Sequence, residues 1–248
     1  LREALCDARE KAVELQELTR EEADRVSRYV ERDLREAAGF IAETCPSVAR
    51  QIFLPQGYLT EVYRLVRKAG GLCIADEVQT GFGRTGRMFA CEHDGVVPDL
   101  MCLAKGMAGG FPMGAVLCAD RLEVPVGRHG STFGGNPLAC AVARMALRVL
   151  VEEGLVENSA EMGDYFIQGL KQIAGPLVKE VRGKGLMIGI ELLPEAGGAR
   201  QYCEKLMGLG VLCKDTHGHT IRVAPPLVIT RQEIDWALER FDSVLSAC

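Results

Sequence analysis

Residues 1–38 place leucine, valine and alanine at mixed three- and four-residue steps among frequent charges, without glycine or proline, which predicts one or two amphipathic helices. Thr19 ahead of Glu21 and Glu22 offers an N-cap with acids in the first turn, so a break falls near 17–19. From Gly39 the pattern changes. Short apolar runs at 39–42, 72–75 and 116–118 read as buried strands and alternate with helical stretches at 59–69 and 137–153. That alternation predicts an α/β layer with a mostly parallel sheet. Pro137 near a helix start and Gly154 just past its end fit the usual asymmetry of helix termini. A further helix near 156–174 leads out of this layer. Strands at 178–182, 187–193, 211–214 and 220–224, with helices at 199–209 and 231–245, then predict a smaller α+β unit. The expected organisation is a helical segment at 1–38, a large-domain portion at 39–160 and a C-terminal small domain at 161–248.

The chain has 248 residues, 48% of them hydrophobic and 25% charged, an ordinary globular balance. A core of this size needs no disulfide or metal staple. The net charge of −5, with no dense basic run, points away from nucleic acid and from anionic membranes as partners. The most apolar stretch, 101–119, holds Lys105, several glycines and Pro112, so it makes a poor membrane span, and no cleavable signal is visible. Ten scattered cysteines with no C-x-x-C read mostly as buried small hydrophobes of a reducing, cytoplasmic compartment.

Candidate chemistry begins at Asp76, an acid directly after an apolar strand and so at the carboxyl edge of the sheet, where open α/β folds bind ligands. The alternative is that Asp76 caps the strand end. Gly81, Gly83 and Gly86 match G-x-G-x-x-G, but neither a long helix nor a suitably spaced acid follows, so a tight surface turn is expected rather than a dinucleotide loop. Lys105 follows an apolar strand and precedes a Gly-rich segment; partial desolvation there would lower its pKa and favour Schiff-base chemistry, whereas a snorkelling lysine is the plainer alternative. Ser131, Thr132 and the backbone ahead of Pro137 can hold a phosphate or merely cap a helix. Arg222 in an apolar strand suits a bidentate clamp on a substrate carboxylate, or an internal ion pair. His217 and His219 flank a glycine and lack a third ligand at convincing spacing, so no metal site is expected.

Taken as a set, Gly57-Tyr58-Leu59, the run from Ala75-Asp76-Glu77-Val78-Gln79-Thr80 through Gly86, Pro98-Asp99, Ala104-Lys105-Gly106, Ser131-Thr132-Phe133-Gly134-Gly135-Asn136-Pro137 and Arg222-Val223-Ala224-Pro225-Pro226-Leu227 resemble, in order and spacing, the class III pyridoxal-phosphate aminotransferases. The likeness runs over about 37–246 and is nearest to the ornithine and acetylornithine enzymes. It implies the fold type I of pyridoxal-phosphate-dependent transferases, with a mostly parallel sheet and a smaller C-terminal α+β domain. It further implies pyridoxal 5'-phosphate as cofactor, Lys105 as the Schiff-base lysine and proton shuttle, and Asp76 on the pyridinium nitrogen. Val78 would pack on the ring, and Gln79 would bond near the phenolic oxygen. Thr132 would reach the phosphate of a neighbouring subunit, hence a homodimer with shared sites, and Arg222 would clamp the carboxylate.

The implied reaction moves an amino group from an ornithine-like, acetylornithine-like or other ω-amino donor to a 2-oxo acid such as 2-oxoglutarate. The family's N-terminal Gly/Ser-rich phosphate loop and ring-stacking aromatic have no counterpart before Gly39. Val48 stands where the ornithine enzymes place a glutamate, and 40–63 also resembles phospho-lyases acting on ethanolamine phosphate or phosphohydroxylysine. A phospho-lyase and a truncated, catalytically incomplete aminotransferase-like chain are therefore the alternative expectations.

Overall fold

The computed structural model describes residues 39–43 and 53–246. The helices expected over 1–38 and the position of Val48 lie outside the described residues.

The first sheet runs β1 (Gly39–Glu43), β2 (Leu72–Asp76), β3 (Leu100–Leu103) and β4 (Ala115–Cys118), in that spatial order. The first three are parallel and β4 is antiparallel to β3. Helix α1 (Tyr58–Lys68) joins β1 to β2; it buries Leu59, Val62, Tyr63 and Val66, whose three- and four-residue spacing makes one apolar stripe, against Cys73 of β2. Gly57 opens the helix at φ 83°, and its N–H is held by Asp94 Oδ1 at 3.0 Å. Strand β4 is apolar on both sides yet bare: adjacent Val116 and Leu117, which point to opposite faces, are 56% and 52% exposed.

Helices α2 (Pro137–Glu152) and α3 (Leu155–Gln172) lead to the second sheet. Its strands are β5 (Val178–Lys184), β6 (Met187–Leu192), β7 (Lys214–Thr216) and β8 (Thr220–Val223), ordered β5-β6-β8-β7 and antiparallel throughout. One face of that sheet, with Val181, Ile188, Ile190, Ile221 and Val223, packs on α3, α4 (Arg200–Gly208) and α5 (Arg231–Leu245). Phe166 and Phe241 meet edge to face in this core, their centroids 6.0 Å apart. Helix α5 starts at a capping box, in which Glu233 N–H donates to Thr230 Oγ1 and Thr230 N–H to Glu233 Oε2.

Three expectations are corrected. The strand foreseen at 211–214 starts only at Lys214, because Val211 and Cys213 pack on the core as an extended lead-in and ladder pairing begins at the hairpin closed by His217 (φ 49°) and Gly218 (φ 78°). Of the seven described cysteines only Cys73, Cys91 and Cys203 are buried; Cys102, Cys140 and Cys213 are half-buried and Cys118 is exposed. The turn carrying Gly81, Gly83 and Gly86 is not at the surface: Gly81, Phe82, Gly83 and Thr85 are buried.

Candidate active site

Asp76 ends β2 and lies in register with Cys102 of β3, so the chain returns from β3 to Lys105 beside it. Its Oδ1 accepts the N–H of Val78 at 3.1 Å, the local turn that short acids favour, while Oδ2 has no hydrogen-bond partner among the described residues. The strand-capping alternative and a free carboxylate oxygen are therefore both present. Val78 is half-buried directly after it.

Glu77 takes the opposite side of the strand and is fully buried. Its carboxylate accepts Thr80 Oγ1 at 2.5 Å, Ala90 N at 3.1 Å and Cys91 N at 2.8 Å, and Gly81 N–H bonds back to its carbonyl at 2.9 Å. These bonds fix the loop on which Gln79 stands. Gln79 Oε1 accepts the Lys105 ammonium at 2.5 Å. Lys105 opens a short 3₁₀ turn at φ 47°, a left-handed conformation that a side-chain-bearing residue adopts at a cost and that concentrates at functional positions.

Lys105 is shared by two hollows. One, of about 420 Å³, is walled by Gln79, Phe82, Arg84, Met145 and Leu227; the other, of about 560 Å³, by Gly110, Phe111, Pro112 and Met113. The expected desolvation of Lys105 is not found: past the end of β3 the residue is exposed.

Arg84 went unnoticed in the sequence. Burial pulls its guanidinium below the ordinary arginine range, and it donates to the carbonyls of Leu186 at 3.2 Å and Pro225 at 2.6 Å. Around it the glycines meet backbone. A side chain at Gly86 would stand 3.0 Å from Ala160 Cα, and one at Gly185 would stand 2.5 Å from Gly86 N. The glycine turn is thus the seam between the first sheet and the second, and it fixes where the loop after Arg222 lies relative to Lys105. An arginine between turn glycines was the available signal.

Arg222 lies on β8 between core residues Ile221 and Val223, but strand alternation turns it to the other face, half-buried, beside Gly189 and Lys214. It has no ion pair or hydrogen bond among the described residues, so the internal-pair alternative is not met there. It also lies outside the walls of both hollows. Thr132 is exposed and lies outside those walls as well. The helix after it is capped by Asn136, whose Oδ1 accepts Ala139 N at 2.9 Å, while Ser131 Oγ accepts Gly134 N at 3.0 Å. Asp76, Val78, Gln79 and Lys105 thus stand at the carboxyl ends of β2 and β3, whereas Thr132 lies in the segment between β4 and α2 and Arg222 on the second sheet.

Two further acids are structural. Burial pushes the Asp99 carboxyl up, but bonds from Cys73 N–H, Arg67 and Arg121 outweigh it and hold it below the usual range. Glu191 behaves alike, with burial overcome by Lys179 and Arg182. Among the described residues no cluster of three His, Cys, Asp or Glu side chains is set to hold a metal, and no helix is long and apolar enough to cross a membrane.

An open α/β sheet with an acid and a lysine at adjacent carboxyl ends, joined to a small antiparallel layer, is the frame of a pyridoxal-phosphate-dependent transferase. Residues 4–245 match the family model for class-III aminotransferases, and the chain belongs to that family, whose members depend on pyridoxal phosphate. It is 50% identical over 210 residues to the ornithine aminotransferase of Bordetella pertussis, covering 84% of this chain and 51% of that protein. To the ornithine aminotransferase of Bacillus subtilis it is 48% identical over 212 residues, with 84% and 52% covered. Among solved structures, the ornithine aminotransferase of Toxoplasma gondii superposes with a TM-score of 0.82 at 39% identity over 87% of this chain and 53% of that one. The acetylornithine aminotransferase of Elizabethkingia anophelis gives 0.80 at 38% identity, over 87% and 57%. The chain spans about half the length of the curated relatives it matches.

Proposed function

We propose that this chain carries the lysine-bearing portion of an aminotransferase that moves an amino group from an ornithine-like, acetylornithine-like or other ω-amino donor to a 2-oxo acid such as 2-oxoglutarate. The observation that supports this best is the Lys105 ammonium on Gln79 Oε1, one strand over from Asp76. The side chains suit the cofactor: an amine, a carboxylate with an uncommitted oxygen and an amide carbonyl share one open edge. Pyridoxal phosphate, when bound, supplies a carbonyl for amines and a ring that withdraws electrons.

The chain's own residues would do the rest. Lys105 would hold the cofactor and move a proton at the carbon bearing the donor's amine. The Asp76 carboxylate would keep the ring nitrogen protonated, Val78 would pack on the ring, and Gln79 would aim Lys105 until the cofactor takes over its bond. Arg222, free of a carboxylate partner among the described residues, would hold the substrate carboxylate. Thr132, exposed and outside the walls of both hollows, would reach a neighbouring subunit's phosphate, which would make the working form a homodimer, in a cytoplasmic compartment.

The exposure of Lys105 and the bare faces of β4 favour a second reading, in which the 248 residues alone are catalytically incomplete. Purified chain with pyridoxal phosphate, 2-oxoglutarate and either ornithine or N-acetylornithine separates the readings. Glutamate formation that Lys105→Ala abolishes supports transamination. No glutamate from either donor supports incompleteness, and phosphate release from ethanolamine phosphate without a 2-oxo acid marks a phospho-lyase.

A further inference from the structure

Asn158 and Ser159 stand side by side near the start of α3, two residues that compete with a helix rather than support it. Both use their side chains on backbone outside the helix. Ser159, fully buried, donates from Oγ to the Arg84 carbonyl at 3.3 Å and accepts Leu186 N–H at 3.3 Å. Asn158 Nδ2 donates to the Leu227 carbonyl at 2.6 Å and to the Ile229 carbonyl at 3.2 Å. Because both partners are carbonyls, the amide can meet them only with its nitrogen.

These last bonds fall on the strap 224–230, which runs from the end of β8 to the start of α5 outside regular structure. Pro225 and Pro226 carry no N–H, so the strap is held chiefly through its carbonyls. Arg84 donates to that of Pro225 at 2.6 Å, Ile229 N–H to that of Pro226 at 3.1 Å, and Asn158 to those of Leu227 and Ile229. One end of the strap is thus fixed from the glycine turn of the first layer and the other from α3. Between the two points Leu227 packs on both the second-sheet core and the Phe82 cluster, and it walls the hollow shared with Lys105. Arg222 stands just ahead of the strap on β8.

We propose that Asn158 is a positioning residue of the aminotransferase site: together with Arg84 it clamps the strap, and so sets where Arg222 and Leu227 stand relative to Lys105. This role rests on the function proposed above, in which Arg222 holds the substrate carboxylate. Asn158 lines neither hollow, so it acts through the strap. Without its amide two carbonyls lose their donor, and Leu227 and the end of β8 are free to shift. Lys105 and Asp76 are held by separate bonds, to Gln79 and from Val78 N–H, and stay in place. The consequence is selective: weaker carboxylate binding with the cofactor retained.

Asn158→Leu and Asn158→Asp keep the size of the side chain and remove the donor, whereas Asn158→Gln keeps a donor one carbon further out. Each purified chain is loaded with pyridoxal phosphate, its retained cofactor is read from the visible absorption, and glutamate formation from 2-oxoglutarate is followed with ornithine and with N-acetylornithine. In Asn158→Leu and Asn158→Asp the KM for 2-oxoglutarate should rise about tenfold while kcat falls less than about threefold and the absorption band is undiminished. Asn158→Gln should recover part of the loss. Hydrogen exchange should quicken over 223–229 in the first two variants and stay unchanged over 72–82 and 100–107. Should Asn158→Leu not fold, the contrast between Asn158→Asp and Asn158→Gln decides. An unchanged KM beside an active wild type, or a cofactor band lost in step with the rise in KM, overturns the positioning role alone. No glutamate from the wild-type chain overturns the function beneath it, and the role with it, before any variant is compared.

Discussion

Replacing Glu77 by glutamine changes one charge and almost no volume, and the structure says why it should be costly. In the native chain Oε2 accepts both Thr80 Oγ1 and Ala90 N–H, and Oε1 accepts Cys91 N–H. A glutamine has one oxygen. If that oxygen stays on Cys91 N–H, the new NH₂ group faces Ala90 N–H, donor against donor; the flipped amide moves the conflict to Cys91. Thr80 can rotate and accept, so its bond is recoverable. One buried backbone N–H is then left unpaired, which costs about 1–3 kcal/mol, and the remaining bonds lose their ionic character. A net loss of about 2–3 kcal/mol is expected. For a chain of this length that lowers the thermal midpoint by about 4–12 °C. Urea unfolding of wild type, Glu77→Gln and Thr80→Val measures it, with Thr80→Val expected to cost about 1 kcal/mol. Glu77→Gln within about 0.5 kcal/mol of wild type, the usual scatter of surface changes, would refute the buried-carboxylate argument. Because the same loop carries Gln79, cofactor retention should fall in Glu77→Gln and hold in Thr80→Val.

Gly163→Ala would put a methyl 2.2 Å from the Gly185 backbone, where no flexible side chain can yield; a loss of about 3 kcal/mol is expected in urea unfolding, and a near-neutral result would contradict the close packing of α3 on the β5–β6 turn. Asp99 and Glu191 have folded pKa values below their ordinary ones. Their contribution is therefore present above about pH 4, the unfolded range, and is lost as pH falls through the lower folded values. Asp99→Asn should flatten the acid limb of a stability–pH curve and cost about 1.5–3 kcal/mol at neutral pH, chiefly through the Cys73 N–H, since Arg67 and Arg121 reach solvent when released. An unchanged acid limb would argue against the Asp99 cluster. Arg222→Ala should raise KM for the carboxylate substrate far more than it lowers kcat; an equal fall in kcat and kcat/KM would assign Arg222 another role.

The contrast between what the chain's pattern displays and what it hides has physical causes. Helix α5 was expected over the residues it occupies because its cap, stripe and end are all local. Lys105 and Asp76 were visible because each follows an apolar run at a strand's carboxyl end. Arg84 and Glu77 were not, since their partners are remote or turned away: Leu186 and Pro225 lie 102 and 141 residues from Arg84, and Ala90 and Cys91 meet Glu77 only once the loop has folded. The desolvation expected for Lys105 failed for a related reason, because an apolar strand before a lysine says nothing about what covers its amine. The glycine turn was read as a surface feature when its glycines serve close backbone approach to Ala160 and Gly185.

The central claim is that Lys105, with Asp76 and Gln79, is a cofactor site. The purified chain is mixed with pyridoxal phosphate, the excess is removed, and the visible absorption of lysine-bound cofactor is recorded beside Lys105→Ala and Gln79→Ala. The account predicts a stoichiometric band in the wild type, none in Lys105→Ala and a weakened one in Gln79→Ala. A band of equal strength in Lys105→Ala, or none in a wild-type chain that unfolds cooperatively, would contradict it.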